Sequence, residues 1–275
     1  MGTHLAQIIT MQTIWKPCKR AARALLIAYI VMLALLCFQQ DAMLFPTATE
    51  RTALPQITGL TQTTVITPDK ETLPALYIAP KGTNPTVLFF HGNGDQINAF
   101  AFLAEEFAAH GLGFAAVEYR GYHGATGTVS ENGIMTDGLA AFDWVKQQCK
   151  CEIALMAHSL GTGIAVHVAA EREARAMALF APYSSIVDVA SDRFWYLPVR
   201  WLVRNPIRSD LRIGKVTEPI LTVHGKDDSV IPIRFGIRLF KLANEPKQFL
   251  ALDRVGHNEV LSQASVQKAL SLLKR

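Results

Sequence analysis

Acidic residues are missing from the start of the chain: none occurs before Asp41, while Lys16, Lys19, Arg20 and Arg23 all do. With those four cations set aside, the remaining 23 Lys and Arg balance the 23 Asp and Glu. The formal charge of +4 and the pI near 8.9 therefore describe an N-terminal collar. They give no diffuse basic surface for nucleic acid. Cysteine is scarce too. Four in 275 residues do not make a disulfide scaffold, and no Cys/His set has metal-ligand spacing. Cys149 and Cys151 stand too close in sequence for an ordinary bridge to each other. The phosphate-cradling pattern G-x-x-x-x-G-K-[ST] is absent, as is a dinucleotide fingerprint after the first strand, so a mechanism without metal or cofactor is expected. Charged residues make up only 18%, too few for disorder, against 50% hydrophobic residues, ample for a core. There is no internal repeat and no low-complexity tract.

What is present begins with a long apolar run. Ala24–Phe38 carries no charge over 15 residues, and starting at Ala21 gives 18 residues with one Arg. At about 1.5 Å per residue that is about 27 Å, close to a hydrocarbon core of about 30 Å. Arg23 can snorkel at one end, and Gln39 and Gln40 extend the helix before Pro46. The run is apolar all round rather than striped, which favours a membrane over a protein core. A cleaved signal peptide wants small residues near its cut, and Phe38-Gln39-Gln40-Asp41 offers none. A lipoprotein signal would modify Cys37, but Leu36 stands where a small residue is usual. Cys18 and Cys37 flank or enter this segment. An uncleaved signal anchor is expected, with the N-terminus cytoplasmic by the positive-inside rule and the main body on the opposite periplasmic, extracytoplasmic or lumenal side. The expected organisation is a basic segment 1–20, an anchor 21–40 and one domain 41–275, which holds an irregular insertion at about 183–218.

After a polar stretch at Thr47–Pro55, short apolar β-rich runs alternate with helical patterns. Thr63–Thr67 and Ala75–Ala79, separated by Pro68-Asp69-Lys70, predict an antiparallel opening pair. Further strands are predicted at Thr86–Phe90, Phe114–Glu118, Ile153–Ala157, Ala176–Ala181, Ile220–His224 and Gln248–Leu252. Helices are predicted over Gln96–His110, Ile134–Gln148, Thr162–Glu173, Ile233–Ala243 and Val260–Leu273. This alternation predicts a doubly wound, mostly parallel α/β sheet of about eight strands. Functional groups of such sheets gather at the carboxyl ends of the strands.

Ile153–Ala157 runs directly into His158-Ser159-Leu160-Gly161. A serine on a tight strand-to-helix turn has its Oγ raised at the sheet edge and the helix N–H groups, Leu160 included, aimed at an oxyanion. The alternative is a serine that merely caps a helix. Ala157 stands where such turns usually carry Gly, giving A-x-S-x-G. Two further strand ends carry Asp228, in His224-Gly225-Lys226-Asp227-Asp228, and His257, in Val255-Gly256-His257-Asn258. The order Ser159, Asp228, His257 is that of nucleophile-elbow hydrolases. In that reading His257 takes the serine proton and returns it to the leaving group. Asp228 fixes the imidazole tautomer, with Asp227 as the competing acid.

Together with Phe90-His91-Gly92-Asn93-Gly94, Glu118-Tyr119-Arg120-Gly121-Tyr122 and the segment from His224 to Pro232, these residues resemble the α/β-hydrolase superfamily over about Pro55 to Leu273. More narrowly, they resemble its serine aminopeptidase-like and dienelactone hydrolase-like branch with an N-terminal membrane anchor. The resemblance implies an α/β-hydrolase fold with a short cap. It also implies an oxyanion hole from the backbone N–H groups of Asn93 and Leu160, and a structural role for the His91 side chain. The activity it implies is hydrolysis of a small acyl substrate, a carboxylic ester or thioester, through an acyl-enzyme on Ser159. A peptidase or amidase and a non-catalytic scaffold are the alternatives.

The insertion, between Pro182 and Pro219, holds Phe194, Trp195, Tyr196 and Trp201. Residues 193–215 carry Arg193, Arg200, Arg204, Arg208, Arg212 and Lys215 against Asp210 alone. The spacing of four would line arginines along one helix face, but Pro206 interrupts it. Two readings follow: a solvated basic face beside a small lid, or rings and arginines resting on anionic lipid headgroups.

Overall fold

The computed structural model describes residues 2–46 and 52–274, with side chains from residue 18 onward. Residues 47–51 of the polar stretch and the side chain of Lys16 lie outside the described residues. The chain divides into two compact units, Met1–Met43 and Leu44–Arg275. The first is helical throughout its described length, within α1 (Gly2–Leu44). By length and composition the stretch Cys18–Leu44, 27 residues, suits a membrane crossing. Leu25, Ile27, Leu35 and Phe38 are exposed, which sets it apart from a buried core helix.

The second unit is built on one sheet. Its strands are β1 (Thr61–Ile66), β2 (Thr72–Ile78), β3 (Thr86–Phe90), β4 (Gly113–Val117), β5 (Ile153–His158), β6 (Met177–Phe180), β7 (Ile220–Gly225) and β8 (Lys247–Leu252). They lie in the order β1-β2-β4-β3-β5-β6-β7-β8. The pairs β1–β2 and β2–β4 are antiparallel and all others parallel. Every residue of β3, β4, β5 and β7 is buried, because helices cover both faces.

The period of two along each strand divides the core. Val87 and Phe89 pack with Phe107 of α2 (Ala101–Ala109) and Leu270 of the C-terminal helix Gln263–Leu273. Leu88 and Phe90 pack on the other face with Ile134 of α3 (Glu131–Cys149) and Ile164 of α4 (Leu160–Glu171). The chain leaves β3 toward β4 on one side and returns to β5 on the other. That reversal opens a crevice outside the carboxyl ends of β3 and β5.

One local reading changes. The Ser130 side chain caps α3 by accepting from the Gly133 N–H, and the helix ends at Lys150 with φ +52°. That left-handed residue turns the chain back on itself. The Cα atoms of Cys149 and Cys151 come within 5.1 Å and the two are disulfide-bonded, contrary to the sequence expectation. The arginine spacing in the insertion does not mark one helix, as Pro206 leads one to expect. Between β6 and β7 lie α5 (Ile186–Arg193), α6 (Val199–Leu202) and two 3-10 turns, with Pro198 and Pro206 breaking any longer helix. Much of the basic charge is matched there: Arg208 pairs with Asp210, Arg212 with Glu131 and Lys215 with Glu171. The helices α7 (Ile233–Leu242) and α8 (Gln263–Leu273) complete the unit.

Candidate active site

Ser159 joins β5 to α4 with φ +49° and ψ −119°. Such a conformation costs a non-glycine residue about 1–3 kcal/mol, so the surroundings must hold it. The Ser159 N–H donates to the Phe180 carbonyl at 2.9 Å, and its own carbonyl accepts from Thr162 Oγ1 at 2.6 Å. Gly161 admits no side chain, since a Cβ there would lie 2.3 Å from the Phe90 carbonyl oxygen. Ala157, in contrast, buries its methyl group in the core.

The three residues from separate strand ends converge. His257 Nε2 lies 2.9 Å from Ser159 Oγ, and His257 Nδ1 lies 2.7 Å from Asp228 Oδ2. Asp228 is itself fixed: its Oδ1 accepts the N–H groups of Val230 and Ile231 at 2.9 and 2.7 Å. His224, fully buried, places Nε2 3.4 Å from Asp228 Oδ2. Burial pushes the Asp228 carboxyl up. Hydrogen bonds from His224, His257 and the Ile231 amide outweigh that and hold it well below the usual carboxylate range. Asp227 is exposed, and the carboxylate at His257 Nδ1 is that of Asp228.

The loop after β3 runs beside this group. A Cβ on Gly92 would sit 3.5 Å from Ser159 Cβ, so the backbone passes within van der Waals reach of the serine. Asn93 follows directly. Leu160 is the first residue of α4, where an N–H has no acceptor within its helix and the helix end is electropositive. The loop is braced by the motif after β4, to which sequence reasoning gave no task. Glu118 Oε1 accepts the Ile97 N–H at 2.9 Å, Tyr119 Oη donates to the His91 carbonyl at 2.8 Å, and Tyr122 Oη donates to Asn93 Oδ1 at 3.2 Å. The His91 ring is buried, stacked on Tyr119 and 3.3 Å from Glu118 Oε2.

His158 is a second residue that sequence reasoning passed over. It is buried, with Nε2 3.3 Å from the His257 carbonyl oxygen and Nδ1 3.9 Å from Asp95 Oδ2. Asp95 Oδ2 accepts the Gly92 N–H at 3.1 Å. Partial burial raises the Asp95 carboxyl, but His158, His91 and that amide lower it further, leaving it below its ordinary value. One imidazole thus touches both the loop of His257 and the neighbour of the Gly92 loop. A polar residue ending an otherwise apolar strand is the signal that could have singled it out, and His224 stands one residue before the end of β7. Among the described residues, no three His, Cys, Asp or Glu side chains converge as a metal site would require.

Solved α/β hydrolases superimpose on this sheet. The Pyrococcus furiosus esterase Pf2001 does so with a TM-score of 0.65 at 17% identity, over 83% of this chain and 99% of that one. The alpha/beta hydrolase GrgF from Penicillium sp. sh18 matches with a TM-score of 0.65 at 16% identity, over 78% and 98%. A family model described as serine aminopeptidase, S33 matches residues 81–209. The fold is that of the α/β hydrolases, and residues 81–209 are similar to that serine aminopeptidase family. Among curated relatives of this chain, uncharacterized protein Rv2307c of Mycobacterium tuberculosis (strain ATCC 25618 / H37Rv) is 36% identical over 183 residues, 65% of this chain and 64% of that protein. Lysophosphatidylserine lipase ABHD12 of Rattus norvegicus is 30% identical over 193 residues, 60% and 47% of the two chains. The chain spans about half to two thirds of the length of these curated relatives.

Proposed function

We propose that this hydrolase is a membrane-anchored serine esterase that cleaves carboxylic ester or thioester bonds through an acyl-enzyme on Ser159. The observation that carries the reading is the unbroken hydrogen-bonded line from Asp228 through His257 to Ser159 Oγ. Ser159 is inert at neutral pH until its proton has an acceptor, and His257 Nε2 is within reach of it. Ser159 Oγ attacks the acyl carbon as its proton passes to His257. The carbon–oxygen or carbon–sulfur bond then breaks, and His257 returns the proton to the departing alkoxide or thiolate. Water repeats the sequence, releases the carboxylic acid and restores Ser159. Asp228 keeps the imidazole in the tautomer that accepts at Nε2 and stabilises its cation. The N–H groups of Asn93 and Leu160 bind the oxyanion of each tetrahedral intermediate.

An ester is favoured over an amide by the likeness to lysophosphatidylserine lipase ABHD12 and esterase Pf2001. The family description as a serine aminopeptidase supports a second reading, an amidase or peptidase. Labelling with a fluorophosphonate probe, wild type against S159A, tests the serine. Loss of the label only in the variant is the expected result, and a wild-type protein that does not label overturns the assignment. Turnover of p-nitrophenyl acyl esters against aminoacyl p-nitroanilides separates the two substrate classes.

Lys19, Arg20 and Arg23 precede the apolar segment and Asp41 ends it, which favours a cytoplasmic N-terminus and a catalytic domain across the membrane. The Cys149–Cys151 disulfide fits that side, since such bonds persist in oxidising compartments. A C-terminal alkaline phosphatase fusion is expected to be active, and an inactive fusion beside a fluorescent cytoplasmic one would reverse the orientation.

A further inference from the structure

Cys149 and Cys151 bridge across one intervening residue, and the bridge does little for the fold. The stability a disulfide adds grows with the loop it closes, and this loop is minimal. The turn is also held without it. Lys150 ends α3 in a left-handed conformation, with its N–H donating to the Lys146 carbonyl at 3.2 Å. Cys151 leads straight into the sheet, where the Thr86 N–H donates to the Glu152 carbonyl at 3.0 Å and the Arg175 N–H to the Ile153 carbonyl at 2.8 Å. Backbone bonds that owe nothing to sulfur thus keep the two cysteines within bridging distance, their Cα atoms 5.1 Å apart. Both cysteines are half-buried, so a small solute reaches them.

The sulfurs have a built neighbourhood. Thr86, the first residue of β3, is fully buried, and its Oγ1 lies 3.2 Å from Cys151 Sγ and 3.7 Å from Cys149 Sγ. Gly113 on β4 makes room for that hydroxyl, since a Cβ there would sit 2.3 Å from it. Lys146 Nζ donates to the Cys151 carbonyl at 3.0 Å, Lys150 stands between the cysteines, and the adjacent Glu152 is ion-paired to Arg175. A sulfur anion at Cys151 would accept the threonine hydroxyl and face positive charge. One at Cys149 would lie at the C-terminus of α3, which the helix dipole disfavours. The bridge is therefore set to open toward Cys151.

We infer that Cys149–Cys151 is a thiol–disulfide exchange site, opened by low-molecular-weight thiols and reclosed by their disulfides. A thiolate RS⁻ attacks Cys149 Sγ, the S–S bond breaks, and the electron pair leaves on Cys151 Sγ, which accepts from Thr86 Oγ1. A second RS⁻ attacks the outer sulfur of the Cys149–SR mixed disulfide and releases RSSR. The protons of the two thiols end on the two cysteines, so two thiols are oxidised to one disulfide as the bridge gains two electrons. Excess RSSR drives the same steps backward. The pair precedes the amino end of β5 and Ser159 follows its carboxyl end, so the exchange does not depend on whether Ser159 is the nucleophile. The test equilibrates the full chain in detergent across rising ratios of glutathione to glutathione disulfide, with acid quenching and alkylation. Peptide mass spectrometry then reads Cys149 and Cys151 separately from Cys18 and Cys37. The pair is expected to pass from bridged to reduced while far-UV circular dichroism stays native, to reclose when the ratio is reversed, and to carry the transient glutathione adduct on Cys149. T86V is expected to slow opening about tenfold by removing the hydrogen bond to the departing sulfur, and T86S to keep the wild-type rate. Should T86V fail to fold, the wild-type series and the position of the adduct decide. A bridge that stays closed at every ratio until the fold is lost overturns the inference, as does a reduced pair that does not reclose. Equal opening rates in T86V and wild type overturn it as well, because the buried hydroxyl would then have no part.

Discussion

Ser159 and Trp201 are both residues that folding alone does not reward. Ser159 holds a left-handed backbone conformation, and Trp201 holds an indole in water. The difference lies in what surrounds them. Around Ser159 the cost is met inside the domain: two backbone-directed hydrogen bonds, a glycine with no room for a side chain, and a histidine within reach of the hydroxyl. Around Trp201, among the described residues, nothing covers the ring, which is 88% exposed. A strained residue whose neighbours fix it points to chemistry in place, whereas an exposed ring without neighbours points to a surface the protein meets elsewhere.

The largest effect expected at the first region is that of S159A. In a serine triad, removing the nucleophile costs about 10⁶-fold in kcat, so turnover should fall to background while circular dichroism stays unchanged. Relief of the backbone strain is not expected, since alanine has the same conformational limits as serine. If S159A keeps more than a small fraction of wild-type activity, the contrast between the regions collapses and the nucleophile lies elsewhere.

Next come the two adjacent aspartates. D228N is expected to lose about 10⁴-fold in kcat, by analogy with the tautomer error that such a change causes in triads. D227N should stay within a few fold, because Asp227 is exposed and Asp228 holds His257 Nδ1. Asp228 also predicts a pH dependence of stability. Its folded-state carboxyl sits below the unfolded value of about 3.9, so its contribution is complete above that pH and is lost as pH falls through the folded value. Urea midpoints measured from pH 6 down to pH 3 should decline mainly below pH 4, and D228N should flatten that decline.

How far the sequence announces these features depends on how local they are. The strands of the parallel core are readable because burial on both faces leaves continuous apolar runs such as Thr86–Phe90 and Ile153–Ala157. Ser159, Asp228 and His257 are readable as candidates because each follows such a run. His158 is not, because its meaning depends on a carbonyl 99 residues away. Nor is the bracing of the Gly92 loop, which needs Tyr119 and Tyr122 folded across it. The disulfide was misread for a different reason: a separation of two residues argues against a bridge unless the middle residue turns left-handed, as Lys150 does. In the cap, Pro206 already argues in the sequence against one long arginine-lined helix, and the four-residue α6 agrees with it.

His158 sharpens the comparison, because it couples the two loops that converge on Ser159. Replacing it with leucine removes the donor to the His257 carbonyl, and a misplacement of about 1 Å in such a site costs about 10²-fold. H158L is therefore expected to lower kcat for a soluble ester by roughly 10- to 100-fold with little change in KM. H158Q, whose amide can still donate, should recover most of that loss. An equal loss in both variants, or a loss confined to KM, would mean that His158 fills space only.

The smallest effects belong to the cap, and their smallness is what distinguishes it. Trp201 contributes almost no buried area to the domain, so W201A should change stability by no more than about 0.5 kcal/mol. Its kcat on a soluble ester should equal wild type, because the ring's exposure leaves it no part in holding the Ser159 turn. A thermal melt and a p-nitrophenyl ester assay measure both. If W201A instead melts several degrees lower, the indole is holding the domain together, and its exposure says nothing about a partner. If stability and soluble turnover are both untouched while turnover of a bilayer-embedded ester falls, the residue serves access to lipid and not chemistry. The two regions would then differ in kind: one is complete within the fold, and the other is completed by the surface it meets.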